Sequence, residues 1–406
     1  MTFRKLGTAK KLGAAGLGLV LAGAAAAVPA AQAQTGGPTS EQLLRLIQQQ
    51  QKQLDELKAM LQKAQAAAEQ ASAKADEAKA APTKIKISDY ISIGGKLEAQ
   101  ASETEAFSKA NTSDITLNKV EAYIDAQPAD WLLGHVQFIY EDTGSETVSL
   151  DEAYAKFGNT EKFPLYLQAG KYAVPFGSFD TAMATDPITK SMAETKEKAL
   201  LLGAEFSGFT IEGYVYNGDT QKAAESNHID QFGLGVGYAA EIRGAKLSLG
   251  AGYINNLADS DGLTSALGTT NSSALANYIP GYDVHGALEV AGFTVSASYL
   301  AATKKFQSGQ LAFAGRGAEP AAWHTEIAYT APILEKDVTF AVTAQGTKEA
   351  LALSLAERRY GGAVTVAVHP NAKVAVEYLR DSDYSISDGG TGSSGHTANV
   401  KLTLEY

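Results

Sequence analysis

Ala398-Asn399-Val400-Lys401-Leu402-Thr403-Leu404-Glu405-Tyr406 is the stretch of the sequence that decides the fold. Its apolar residues alternate with polar ones without a break, and the stretch finishes on an aromatic. Successive side chains of a β-strand point to opposite faces of the sheet, so the segment predicts a strand with one apolar and one polar face. The apolar face must be buried, either against a second sheet or in lipid.

The same alternation continues upstream as far as Ile91. It is clear in four further segments, at residues 120–126, 131–140, 209–216 and 373–378. Counting candidate strands from Ile91 to Tyr406 gives about sixteen, an even number within the range of single-chain outer-membrane barrels. A soluble sandwich also alternates, so the pattern alone does not separate the two architectures.

Three further features favour a membrane barrel. Short connections, such as Pro128-Ala129-Asp130 and His369-Pro370-Asn371, alternate with long polar ones, such as residues 256–277 and 381–396. Outer-membrane barrels show the same asymmetry between periplasmic turns and external loops. Aromatic residues lie near strand ends, where interfacial girdles belong; these are Trp131, Tyr140, Tyr216, Tyr253, Tyr299, Tyr329 and Tyr378.

The third feature is the ending itself, which resembles the C-terminal recognition strand of bacterial outer-membrane proteins. The resemblance implies that Leu402, Leu404 and Tyr406 form the signal read by the barrel-assembly machinery. We therefore predict an all-β transmembrane fold for residues 91–406, an antiparallel outer-membrane β-barrel of about 16 strands in contact with outer-membrane lipid. A barrel of that size leaves an aqueous channel.

Residues 1–33 have the three parts of a secretory signal peptide. Four cations precede residue 12, the stretch to Val28 is apolar, and Ala31-Gln32-Ala33 is a small-residue cleavage site. We expect cleavage before Gln34 and export to the cell outer membrane. The alternative is that this segment remains as a single-span anchor.

Residues 34–81 are predicted to form a periplasmic α-helical coiled coil, and residues 82–90 a linker to the barrel. The stretch from Ser40 to Ala80 contains neither Gly nor Pro, which favours one continuous helix. Its apolar positions, including Leu54, Leu57 and Leu61, repeat in steps of four and three. So narrow an apolar stripe is best buried by copies of itself, which predicts a homo-oligomer, and we expect a trimer in preference to a dimer. A monomeric spacer helix remains the alternative, because the alanines of the second half bury little surface.

Composition excludes several functions. The chain has no Cys, which removes disulfides, thiolate metal sites and thiol nucleophiles. Its formal net charge of −11 argues against nucleic-acid binding, which needs a basic surface. The histidines are scattered without metal-site spacing, and we interpret His324 with Glu326 as a solvated pair on the barrel wall in preference to a site. We predict no enzyme activity, no metal and no cofactor.

Alternation assigns a set of polar side chains to the inside of the barrel. The candidate luminal residues are Lys119, Glu121, Asp125, His135, Gln137, Glu212, Glu326, Lys373 and Glu377. Acidic groups dominate this set, so the lumen is expected to enrich cations.

The most distinctive segment is Gly170-Lys171-Tyr172-Ala173-Val174-Pro175-Phe176-Gly177-Ser178-Phe179-Asp180-Thr181. Proline cannot continue the strand pairing, and a long connection follows before Leu201. This predicts a loop that folds into the lumen, with Lys171, Tyr172, Pro175, Phe176, Phe179, Asp180 and Asp186 as candidate pore-loop residues. The alternative is a turn motif that shapes the barrel rim.

With Met183 and Asp186-Pro187-Ile188-Thr189, this segment resembles the LbtU family of siderophore porins. The likeness covers most of the chain, and it implies an outer-membrane barrel that takes part in iron–siderophore import. The matching positions are Gly170, Lys171, Tyr172, Pro175, Phe176, Gly177, Phe179, Asp180, Thr181, Asp186 and Pro187. The core Gly-Lys-x-x-x-Pro-Phe-Gly also resembles phosphate-selective porins, although the acidic balance of the chain opposes that function.

The sequence thus predicts an outer-membrane porin for small solutes, with ferric siderophore as the candidate substrate. Two alternatives stay open. One is a general or phosphate-type diffusion porin. The other is a structural tether that joins the outer membrane to the cell wall through the coiled coil.

Overall fold

The computed structural model describes residues 85–86, 90–142, 147–223, 228–269 and 274–406. The predicted signal peptide and coiled coil lie outside the described residues. No helix in these described ranges is long and apolar enough to cross a membrane.

Sixteen antiparallel strands of the described chain close into a barrel. Each strand pairs with the next along the chain, and β1 pairs with both β2 and β16, which closes the sheet. The first eight are β1 (Ile91–Glu105), β2 (Asn111–Ala129), β3 (Leu132–Tyr140), β4 (Val148–Phe157), β5 (Leu165–Ala173), β6 (Lys196–Phe206), β7 (Phe209–Tyr216) and β8 (Gln231–Ile242). The other eight are β9 (Ala245–Ile254), β10 (Gly281–Val290), β11 (Phe293–Ala302), β12 (Ala321–Ile333), β13 (Lys336–Lys348), β14 (Arg358–His369), β15 (Ala372–Ser382) and β16 (Ser394–Glu405).

The remaining elements lie in the connections. They include the helices α1 (Ile188–Ala193) and α2 (Asp261–Thr269) and the 3₁₀ turns Leu257–Asp259, Leu351–Leu353 and Ile386–Asp388. Two-residue strands occur at Ile85–Lys86, which pairs with β1, and at Gln221–Lys222, Ala274–Leu275, Ala312–Phe313 and Arg316–Gly317.

The two rims of the barrel differ as the sequence predicted. One rim carries tight turns, and at Ser207-Gly208 and Arg243-Gly244 both central residues have positive φ. Positive φ at both central positions is the type I′ geometry, whose twist matches the strands on either side. The other rim carries the long connections, including residues 174–195 and 255–280. The strand β1 begins at the rim of tight turns.

The outer surface of the barrel is apolar. On β16 the side chains of Val400, Leu402 and Leu404 are exposed, as the alternating pattern predicted. Aromatic pairs lie near both rims, with Tyr282 and Tyr299 on the long-loop side and Phe293 and Tyr329 on the tight-turn side. An exposed apolar wall between aromatic girdles matches a barrel embedded in a bilayer. Tyr216, however, points inward and is buried, so its assignment to a girdle was wrong.

Part of the interior is filled. Buried side chains from the long connections, among them Phe176, Met192, Leu257 and Leu263, pack with inward residues of β5 to β12 into one hydrophobic cluster. The helices α1 and α2 contact each other within it. The open part of the lumen therefore lies toward β1 to β4.

Candidate functional site

The connection between β5 and β6, residues 174–195, folds into the barrel and reaches the opposite wall; we call it the crossing loop. Glu326 of β12 accepts hydrogen bonds from the hydroxyl of Thr181 and from the N–H of Ala182, the latter at 2.8 Å. Glu377 of β15 accepts from the N–H groups of Ala184 at 2.8 Å and Thr185 at 3.0 Å. Because β12 and β15 lie far around the sheet from β5 and β6, the loop spans the lumen.

Further contacts hold the end of the crossing loop. Met183 packs among inward-facing small and apolar residues of four strands, namely Ala328, Ala341, Ala363 and Leu379. The amide of Asn399 donates to the Thr185 hydroxyl at 3.2 Å, and the Gln345 side chain accepts from the Ile188 N–H at 2.7 Å. Polar and apolar contacts with the opposite wall thus act together and hold the crossing loop in one defined position.

The motif that begins the crossing loop is largely packed against protein. Tyr172 and Phe176 are only 3% and 2% exposed and belong to the hydrophobic cluster. The side chain of Lys171 points outward from β5, because that of the neighbouring Tyr172 points inward. The Lys171 ammonium group donates to the Leu150 carbonyl at 2.8 Å. These three residues therefore do not face the open lumen, contrary to their assignment from the sequence. The alternation of β5 explains the error for Lys171.

A cavity of about 760 Å³ lies between the crossing loop and the wall formed by β1 to β4 and β16. Phe179, Asp180 and Asp186 contribute to it from the loop, whereas Lys119, Glu121 and Gln137 contribute from the wall. Among the described residues that line it are nine carboxylates and five lysines. The lining thus carries an excess of four negative charges when all these groups are ionised.

The lysines of the cavity lie beside carboxylates. Lys119 is 3.6 Å from Glu121 and 3.5 Å from Glu141, and Lys196 is 2.7 Å from Asp151. On the crossing loop, burial raises the pKa of Asp186, but the Lys190 ammonium at 2.7 Å outweighs burial and the net pKa lies below its usual value. Asp186 is therefore a carboxylate at neutral pH.

The other luminal candidates point inward at different heights. The Asp125 carboxylate contacts His135 Nδ1 at 2.6 Å, Lys373 lies 3.3 Å from Glu405, and Glu212 accepts from the Tyr166 hydroxyl at 2.5 Å. Glu326 and Glu377 are buried under the crossing loop. These side chains lie on the inner faces of their strands, but Glu326 and Glu377 hold the crossing loop and do not border open solvent.

Asp151 and Glu152 illustrate what alternation misses. A register shift between β3 and β4 pairs Gln137 with Glu152 and Phe138 with Leu150, so Asp151 is an extra residue in the strand. Both acids consequently border the cavity although they are adjacent in sequence. A bulge of this kind leaves no periodic signal. Lys96 and Glu98, by contrast, alternate with Leu97 and were readable as luminal.

No group of three or more His, Asp or Glu side chains in the part of the chain that the structure describes is arranged to hold a metal ion. His324 Nε2 lies 3.6 Å from Glu326 Oε2, and the carboxylate is already engaged by the crossing loop. This pair is part of the packed wall.

Comparison with known proteins gives relatives by sequence. No protein-family model matches the chain. A UPF0422 protein of Coxiella burnetii (strain RSA 493 / Nine Mile phase I) is 31% identical over 324 residues, which cover 77% of this chain and 69% of the relative. A UPF0422 protein of Legionella pneumophila (strain Lens) is 29% identical over 327 residues, 75% of this chain. The match covers only 61% of the Legionella relative's length.

Solved structures share the fold. Pseudomonas putida OprB superposes with a TM-score of 0.54 at 10% identity, over 78% of this chain and 94% of that one. OmpF of Salmonella typhi gives a TM-score of 0.53 at 12% identity, over 79% and 100%. An anion-selective porin from Comamonas acidovorans gives 0.53 at 11% identity, over 78% and 99%. At such low identity the likeness establishes the barrel architecture and not the solute.

Proposed function

Because the chain belongs to the UPF0422 family and has a porin-like barrel, we propose that it is an outer-membrane channel through which small hydrophilic solutes pass. One observation carries the proposal, namely the polar cavity that the crossing loop leaves open beside β1 to β4. A barrel whose only task was anchoring would need about eight strands and no open lumen. A tether to the cell wall is the second proposed role, and it belongs to the segment before the barrel.

We propose that the channel prefers cations. The support is the excess of carboxylates over lysines in the cavity lining. Charged rings and charged cavity walls select the opposite charge, and low-dielectric walls strengthen the field. This preference distinguishes the channel from a phosphate-type porin, for which a cationic lining is expected.

The direct test is the reversal potential of the purified protein in a planar bilayer under a KCl gradient. We expect stable open channels with a reversal potential on the cation-selective side. Absence of conductance from correctly folded protein would reject the channel. A reversal potential on the anion-selective side would favour the phosphate-type alternative.

Ferric siderophore is the proposed selective solute. Its support is the resemblance of the segment from Gly170 to Thr189 to siderophore porins, and the crossing loop formed by that segment lies inside the barrel. Micromolar ferric siderophore is expected to interrupt the current, whereas the iron-free compound at equal concentration should do so less. Equal currents with and without the ferric compound would contradict siderophore selectivity and would favour a general diffusion porin.

The N-terminal part is proposed to be processed and periplasmic. Its support within the barrel is that β1 begins at the rim of tight turns, the rim that faces the periplasm in outer-membrane barrels. We retain the domain boundaries 1–33, 34–81, 82–90 and 91–406, cleavage before Gln34, and a trimer formed through the coiled coil. Mass spectrometry of the mature N-terminus and sedimentation of residues 34–81 test these proposals.

A further inference from the structure

The outer wall of the barrel carries a shallow apolar cavity of about 600 Å³ on β9 to β12, which we call the outer groove. Its floor is made of small outward residues in register on three adjacent strands, namely Gly286, Ala297 and Thr325. Larger apolar side chains border the floor, and two of them, Val284 and Val295, are 48% and 45% exposed. The outer groove is therefore open to the surroundings of the barrel.

The floor of the outer groove leads toward the rim of long connections. On β13 the row continues with Ala344, which is in register with Thr325. It then passes Tyr360 of β14 and reaches Arg380 of β15. Gly286 lies near the middle of β10, whereas Arg380 lies near the end of β15, so the row climbs toward this rim. The rim of long connections faces the cell exterior in outer-membrane barrels.

Three cations lie at the upper end of this row, and we call them the rim cations: Lys348 of β13, Arg358 of β14 and Arg380 of β15. Their side chains are exposed and point outward. Arg358 is in register with Gly346 and Ser382, so Lys348 and Arg380 are its diagonal neighbours across the strands. Such neighbours are about 7–8 Å apart, and long side chains at this distance can contact one common ligand.

The rim cations have no acidic partner within the described chain, where their side chains form neither a hydrogen bond nor an ion pair. The inward Arg359, by contrast, binds both carboxylate oxygens of Asp381 at 2.7 Å. The outward acid Glu105 of β1 is bound to Lys109 at 2.8 Å. Like charges on neighbouring strands repel each other, so this cluster attracts an anion from outside the protein.

Trp323 joins the outer groove to the rim cations. A methyl group on Gly346 would lie 2.7 Å from Trp323 Nε1, so the indole lies over this glycine. Gly346 is in register with Arg358, and the same indole borders the outer groove. Tryptophan is favoured where an apolar region meets a polar one, because its ring is apolar and its N–H is a donor.

The chemistry of the two parts specifies the ligand. Guanidinium groups bind phosphate oxygens through charge-assisted hydrogen bonds, and an open apolar groove accommodates an alkyl chain. A free anion would leave the groove empty, whereas an uncharged lipid would leave the cations unpaired.

We propose that the outer groove and the rim cations together bind a phosphorylated lipid of the outer leaflet. Its phosphate contacts Arg358 and Arg380, and an acyl chain lies along the groove floor. The site is on the outside of the barrel, so it is independent of conduction through the lumen.

Native mass spectrometry of the full-length protein in detergent, with lipid A as the probe, tests the proposal. We expect a lipid A molecule to be retained, and Arg358→Gln combined with Arg380→Gln to weaken retention by at least about tenfold. Ala297→Phe keeps both charges but fills the groove floor, and should weaken retention to a similar degree. Lys198→Gln on β6 and Ala101→Phe on β1 are the matched controls, because both positions are exposed on the outer wall away from the groove.

Comparison of ligands on the unaltered protein needs no variant to fold. Dephosphorylated lipid A should be retained at least about tenfold less than lipid A, and inorganic phosphate at equal concentration should not displace lipid A. Equal retention of the two lipids, or displacement by inorganic phosphate, would overturn the proposal. An equal loss in Lys198→Gln would also overturn it, since it would show attraction by net charge alone.

The same spectra report the number of chains in each complex. If Ala297→Phe dissociated an oligomer and still retained lipid A, the outer groove would be a contact between copies of this chain and the proposal would fail. Retention of lipid A by a protein that conducts no ions would uphold this site and reject the proposed channel. Conduction without retention would do the reverse.

Discussion

The Glu377 carboxylate of β15 binds Thr185 of the crossing loop twice, through the backbone N–H at 3.0 Å and through the hydroxyl at 2.5 Å. The N–H of Ala184 and the amide of Asn399 donate to the same carboxylate at 2.8 and 2.9 Å. One buried acid thus satisfies several donors of a loop that starts on the far side of the barrel. Glu377 is a positioning residue for the crossing loop.

Replacing Glu377 by Ala should release the tip of the crossing loop. Each buried N–H left without an acceptor costs about 1–3 kcal/mol, and several donors lose theirs together. We expect noisier single-channel currents and a higher mean conductance. Glu377→Gln, which keeps an acceptor oxygen, should show a smaller change, and Glu405→Gln, an acid outside the loop contacts, none. Quiet, unchanged currents in the Ala variant would show that Glu377 does not position the loop.

Replacing Asp180 and Asp186 together by Asn should weaken the cation preference. The change reduces the excess of negative charge in the described cavity lining from four to two. The reversal potential in a KCl gradient measures the effect, which should be greater at 0.1 M than at 1 M salt because the screening length falls from about 10 Å to 3 Å. Asp388→Asn, in an external turn, is the control. An equal shift in the control variant would mean that the two acids act only through net charge.

Phe176→Ala should destabilise the barrel by about 3–5 kcal/mol, because it removes a fully buried aromatic ring from the hydrophobic cluster. The measurement is the temperature at which the protein loses its compact mobility in gel electrophoresis. Phe176→Leu should retain most of the stability. Phe163→Ala, at a position 62% exposed, should change nothing, and a similar loss in both Ala variants would contradict a structural role for the motif.

The external loops should open more readily as pH rises from 4 to 6. Burial raises the pKa of Asp259 to about 6 from its ordinary 3.8, and its Oδ1 accepts from the Thr220 N–H at 2.7 Å. Between these values the closed state binds a proton that the open state does not, so the free energy of opening falls by about 1.4 kcal/mol per pH unit. Above pH 6 the free energy of opening becomes constant, at a value about 3 kcal/mol below its value at pH 4.

Hydrogen exchange of the Thr220 amide, corrected for the intrinsic pH dependence, measures this opening. Asp259→Asn should flatten its profile. The Thr391 amide is an internal contrast, because it donates to Asp383 at 2.6 Å. Burial by itself would raise the pKa of Asp383, but the hydrogen bonds from Thr391 outweigh burial and keep this pKa below its usual value. Protection at Thr391 should thus hold above pH 4 and be lost only below it. Parallel profiles at both amides would argue against the assignment to Asp259.

The barrel was predictable because its signal is local and repeated. The alternation of β16 from Ala398 to Leu404, repeated upstream, defines one lipid face and one inner face. The turn at Pro370-Asn371 likewise follows from local chemistry. The order of the strands adds no further difficulty, since each pairs with the next in sequence.

The site was predictable only in part, because its contacts are distant in sequence. Pro175 predicts that a strand ends, but no neighbouring residue in the sequence indicates that the crossing loop will hydrogen-bond to Glu326 and Glu377. Asp151 was not predicted to be luminal because the β-bulge that contains it interrupts the two-residue alternation of β4.

The pairing of Lys96 with Glu405 has a kinetic consequence. The other strand pairs are hairpins between neighbours in the chain and can form as soon as both strands exist. The β1–β16 seam joins segments from opposite ends of the sheet, and closing such a large loop carries an entropic cost that local contacts do not. The seam should therefore form last, and until then both strands present unpaired edges that invite a foreign strand. Transient pairing with such a strand would be an ordinary stage in the biogenesis of this molecule.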